Sequence, residues 1–98
     1  MKLRYAVPAL LLALASGTTA LGAMPPPGAS SCSGCHPASR DAVTPAPRLA
    51  GRDPAEILRL FRAFRSGQRP ATVMDRIAKG FTDDEAKAIA DWYRAQSN

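Results

Sequence analysis

Cys32-Ser33-Gly34-Cys35-His36 holds the only cysteines and the only histidine of this chain. A Cys-x-x-Cys-His run is the attachment signature of a c-type haem. The two thiols add across the haem vinyl groups as thioethers, and the residue that follows turns its imidazole to the iron. One helical turn carries Cys32 and Cys35 to the same face, with His36 next in line to reach the metal. Whatever this chain folds into must therefore wrap a flat apolar macrocycle tethered at residues 32–36.

The chain has 98 residues, enough for one small domain, and chains this short seldom build a sufficient core without a staple. A Cys32–Cys35 disulfide closes too small a loop to help, whereas a covalently held macrocycle fills the middle of the fold. Residues 1–23 read as a secretory signal: Lys2 and Arg4 form a basic start, residues 7–15 an apolar stretch rich in Leu and Ala, and residues 16–23 a small-residue zone. Cleavage is expected within 20–23, which delivers a monohaem domain of residues 24–98 to the periplasm. The apolar stretch is shorter than the roughly 20 residues of a membrane span and contains Pro8, so no stable membrane insertion is expected. Lys2 and Arg4 supply part of the formal net charge of +5, and haem propionates offset more of it. The basic balance therefore does not imply nucleic acid.

The rest of the pattern is all-α, three to four short helices and long loops. Residues 25–31 are a stiff lead-in, and only residues 30–36 can form a helical turn or two. Residues 37–51 contain Pro37, Pro45 and Pro47, show no apolar periodicity and read as loop. A helix begins at Asp53-Pro54-Ala55-Glu56, with Asp53 as N-cap, Pro54 at the first position and Glu56 closing a capping box. Ile57, Leu58, Phe61 and Phe64 repeat at helical spacing, with Arg59, Arg62 and Arg65 outside as a solvated basic face, and Gly67 is the stop. After a turn carrying Pro70, residues 73–79 form a short helix ended by Gly80. The last helix opens on a second capping box, Thr82-Asp83-Asp84-Glu85, onto which Phe81 can staple. Its stripe is Ala86, Ile89, Ala90 and Tyr93, with Trp92 at the edge.

A haem iron held by one histidine has a sixth position to fill. With both cysteines consumed, the candidates are Met, Lys, Tyr, water or a gas. Met1 leaves with the signal, and Met24 sits among prolines ahead of the motif. Met74 lies in a loop just after Pro70 and before a short helix, a plausible distal strap, and Lys79 is the other candidate on that segment. A thioether ligand favours ferrous iron, raises the potential and makes a reversible one-electron carrier.

Residues 32–36, the run Pro47-Arg48-Leu49-Ala50-Gly51, a distal methionine and a capped C-terminal helix with an aromatic together resemble a class I cytochrome c. The stretch from Phe64 to Glu85 resembles most the cytochrome subunit of flavocytochrome c sulfide dehydrogenase, related to the cytochrome c4 and c553 group. The likeness is densest from Pro47 to Trp92. It implies the class I fold, helices and loops around one covalent haem c, with Cys32 and Cys35 carrying the ring and His36 and Met74 as axial ligands of the iron. It further implies that the Pro47 carbonyl takes the hydrogen bond from the other nitrogen of His36. Arg69 and Arg76 sit where haem propionates or a partner surface are met. One departure is Pro37, which stands directly after the histidine where these relatives usually carry Gly.

The function so implied is periplasmic electron transfer, with no catalytic site in this chain. Electrons would come from a sulfide-oxidising FAD flavoprotein subunit and leave to a soluble acceptor cytochrome. The flavin site would belong to the partner, since this chain has no dinucleotide-binding glycine fingerprint. A free-standing c553-type shuttle is the nearby alternative. A dithiol redox pair would demand a thioredoxin-like alternation of strands and helices, and a zinc site a fourth ligand beyond Cys32, Cys35 and His36. A haem-based sensor would leave the sixth position open.

Overall fold

The computed structural model describes residues 2–3 and 24–96. The signal-peptide reading of residues 1–23 lies outside them apart from Lys2 and Leu3. Four helices and no strand occur among the described residues: α1 (Ala29–Ser33), α2 (Pro54–Ser66), α3 (Met74–Ala78) and α4 (Asp83–Arg94). This is the all-α architecture expected from the pattern, with α2 packed against both α3 and α4. No described helix is long and apolar enough to cross a membrane.

The ends of the helices follow their local chemistry. Asp53 caps α2 by accepting from the Ala55 amide at 3.0 Å. The expected box through Glu56 is not what forms there: the short Asp53 side chain closes an Asx turn onto the second helical amide and does not reach the third. Gly67, at φ 79°, ends α2 in the left-handed conformation that glycine adopts without steric cost. At α4 the capping box is complete: Glu85 donates its amide to Thr82 Oγ1 at 3.2 Å, and Thr82 donates its own to Glu85 Oε1 at 3.0 Å.

Phe81 also packs beyond its own helix. Its ring meets Phe61 of α2 edge-on, with centroids 6.1 Å apart, and lies so close to Gly28 that a Cβ there would run into the ring edge. Gly28 has φ 88° and leads directly into α1, so glycine is required twice over, for backbone and for space. The Arg face of α2 is also less free than its spacing implies. Arg62 bonds Asp83 with Nε at 3.0 Å and pairs with it through NH2 at 2.8 Å. Arg65 pairs with the same carboxylate and donates to the Phe81 carbonyl at 3.2 Å. Two arginines thus clamp the first turn of α4 onto α2.

The buried hydrophobic residues are Ala29, Ala50, Ile57, Ala78, Ala86, Ile89, Ala90 and Tyr93, with Cys32, Leu49, Phe81 and Trp92 packed around the central group. Alanine dominates this set. Tyr93 is the one large side chain among the described residues that is wholly buried. The loop between α1 and α2 is fastened along its length. Thr44 bonds the Ala46 carbonyl at 3.0 Å, Arg48 bonds the Arg40 carbonyl at 2.9 Å, Arg40 bonds the Gln96 carbonyl at 3.0 Å, and Gly51 donates to the Tyr93 carbonyl at 2.9 Å.

Candidate haem site

The Cys32–His36 run finishes α1. Cys35 and His36 both donate their amides to the Cys32 carbonyl, at 3.2 and 2.8 Å, so the tight turn that the spacing predicts is formed. Cys32 is half-buried and Cys35 exposed, and both are free thiols. Burial pushes the Cys32 thiol above its usual pKa, the reverse of the lowered values that mark reactive dithiol pairs.

His36 is buried. Its Nδ1 lies 2.6 Å from the Pro47 carbonyl, and since a carbonyl oxygen only accepts, Nδ1 carries the proton. That fixes the tautomer and leaves Nε2 as the basic nitrogen, the state in which a histidine ligates a metal. Pro47 meets this carbonyl position because the loop from residue 37 folds back over the end of α1.

Cys32, Cys35, His36, Pro47, Arg69 and Met74 all line one cavity of about 460 Å³, a size usual for small-molecule and cofactor sites. The remaining walls are apolar for the most part: Leu49, Ile57, Phe61, Phe64, Ala71, Val73, Ile77, Ala86 and Ile89, drawn from α2, α3, α4 and both long loops. The donor set and the cavity therefore fit a haem: two thiols one turn apart, an imidazole oriented by Pro47, a thioether and a broad apolar cradle. Arg69 adds a cation at the edge, held over the Phe64 ring at 5.5 Å. Arg76 does not line the cavity and is exposed. It lies two residues past Met74, about 200° around a helix, so α3 turns it to the opposite side. Lys79, the rival ligand, is likewise outside the lining set. Among the described residues no group of three or more His, Cys, Asp or Glu is arranged to hold a metal ion by itself.

One site residue escaped the sequence reading. The Tyr93 hydroxyl, on α4, donates to the His36 carbonyl at 2.6 Å. Burial raises its pKa, against a smaller opposing pull from Ser33 and with a contribution from the Cys32 thiol, so it stays a protonated donor. Nothing local announces this contact across 57 positions of sequence; the helical stripe marked Tyr93 only as core.

No protein-family model matches the chain. It is 36% identical over 63 residues to the cytochrome subunit of sulfide dehydrogenase from Chlorobaculum tepidum, covering 64% of this chain and 57% of that protein. It is 38% identical over 66 residues to the thiosulfate dehydrogenase electron acceptor of Stutzerimonas stutzeri, covering 65% of this chain and 31% of that protein. The chain thus spans less than two thirds of either relative. With four helices, no strand among its described residues and this similarity, the chain has the fold of a small class I cytochrome c and is a relative of these two proteins.

Proposed function

We propose that the chain is a periplasmic electron-transfer cytochrome with one covalent haem c, the haem subunit that takes electrons from a sulfide-oxidising FAD flavoprotein and hands them to a soluble acceptor. The observation that carries the reading is the convergence of Cys32, Cys35, His36 and Met74 on one apolar cavity, with the His36 ring already oriented by Pro47. Cys32 and Cys35 would hold the macrocycle, and His36 Nε2 and the Met74 sulfur would be the axial ligands. A haem bound there supplies reversible one-electron exchange at iron. The apolar walls exclude water from the ring, and the Arg69 guanidinium offers charge compensation to propionates. The two relatives, one named a cytochrome subunit and the other an electron acceptor of sulfur-compound dehydrogenases, support a dehydrogenase as electron source.

The test is purification from the native periplasm under mild conditions, with absorbance followed through gel filtration. A haem peak that carries stoichiometric flavin and is reduced by sulfide is the expected result. A haem peak at the mass of the small chain alone, unreactive to sulfide, overturns the flavoprotein assignment and leaves the c553-type shuttle. A colourless chain with two titratable thiols, made in a host competent for haem attachment, overturns the cytochrome reading altogether.

A further inference from the structure

Tyr93 is bonded at both of its ends to the segment that presents His36. Its hydroxyl donates to the His36 main-chain carbonyl at 2.6 Å, and its own carbonyl accepts from the Gly51 amide at 2.9 Å. The second contact fastens the far end of the short run that begins at Pro47, whose carbonyl holds His36 Nδ1 at 2.6 Å. The main chain of His36 and the acceptor that orients its ring are therefore both anchored to one residue of α4. Ser33 Oγ stands 3.5 Å from the same hydroxyl and donates to the Ala29 carbonyl at 2.9 Å, extending the network into α1.

Packing alone does not explain a hydroxyl at this position. The ring is wholly buried, and phenylalanine would fill almost the same volume without the cost of burying a polar group. A buried hydroxyl is tolerated where it makes a hydrogen bond that matters to position, and this one reaches the single histidine. Trp92 meets the same ring edge-on, with centroids 4.9 Å apart.

We propose that Tyr93 is a positioning residue for His36, setting the plane of the imidazole through the hydroxyl bond to the His36 carbonyl and through the Gly51 tether on the Pro47 run. The inference rests on His36 ligating a haem as proposed above.

The experiment is Tyr93→Phe in the full haem-loaded chain, with Lys87→Ala as a control on the exposed side of the same helix, outside the cavity lining. In the ferric state, the pattern of haem-methyl proton shifts reports the orientation of the axial imidazole. Tyr93→Phe is expected to change that pattern and to speed exchange of the His36 Nδ1 proton roughly fivefold, the opening that follows from losing one net hydrogen bond. Lys87→Ala is expected to keep the parent pattern. A parent pattern in Tyr93→Phe, or an equal change in both variants, overturns the positioning role while the cytochrome reading stands. A chain that never acquires haem overturns both. If Tyr93→Phe fails to load haem, 3-fluorotyrosine incorporation serves in its place, because the only other tyrosine is Tyr5. It keeps the hydroxyl and alters its donor strength, so a shifted pattern supports the role and an unshifted one overturns it.

Discussion

Met74 is the residue on which the carrier and sensor readings part. It lines the same cavity as His36, and a thioether stabilises ferrous iron relative to ferric. In the haem-loaded chain, Met74→Ala is expected to lower the midpoint potential by on the order of 100 mV, a modest fraction of the roughly 0.8 V that axial ligation spans. Carbon monoxide binding should then appear in the variant and not in the parent, as read by spectroelectrochemistry and the Soret band. An unchanged potential would mean that the sixth ligand is something else. Gly28 gives a prediction of stability. Gly28→Ala combines a left-handed backbone with a collision against Phe81, and should cost about 1–3 kcal/mol in denaturant melts. At this scale the sequence was informative where chemistry is local. Residues 32–36 announce themselves by spacing, and Met74 stands out because few other ligands exist. Pro47 came only through family likeness and Tyr93 not at all, since both act on His36 through long-range main-chain contacts that no local pattern encodes.

The elements were legible to the extent that their boundaries are written in caps. Asp53-Pro54, Gly67 and Thr82–Glu85 all mark helix ends where they were expected, and the buried stripe of α4 is the one its periodicity gives. What the spacing of Arg59, Arg62 and Arg65 hid was the destination of two of them. A helical wheel shows which face a cation leaves from, not which carboxylate stands opposite in the fold. Hydrogen bonds from Arg62, then Arg65, hold the Asp83 carboxyl below the usual range, and the Thr82 amide, then its hydroxyl, do the same for Glu85. Both groups have lower pKa values folded than unfolded, so the unfolded chain takes up protons first as pH falls. The stability they contribute is fully present above the ordinary carboxylate value of about 4 and is lost as pH drops through the folded values. A thermal melting series from neutral to acid pH should show that decline, and the Arg62→Ala/Arg65→Ala double variant should flatten it. Thr82→Ala removes one half of the box outright, for about 1 kcal/mol, or a fall of about 4–8 °C in Tm for a domain of this size.

The whole molecule has a core made mostly of alanine, which lets helices approach closely but removes little apolar surface per residue. The large side chains that α2 contributes, Phe61 and Phe64, are half-buried and turned to the cavity, where they meet Leu49, Val73 and Ile77 from the loops and α3. Val73 and Ile77 are in fact 48% and 37% exposed. The apolar surface that would make a second half of the core therefore faces the cavity and not other side chains. Short chains with so little self-contained core depend on a staple, and the haem proposed above, held by Cys32 and Cys35, would complete the burial of these walls. The Cys32→Ala/Cys35→Ala variant, prepared free of haem, should lose its cooperative thermal transition and much of its far-UV helical signal, while the haem-loaded parent melts sharply. α4 should retain the most residual helix, since its capping box is local. A sharp transition near the parent temperature in the untethered chain would show that the alanine-rich contacts suffice alone, and that the cavity takes no part in holding the fold.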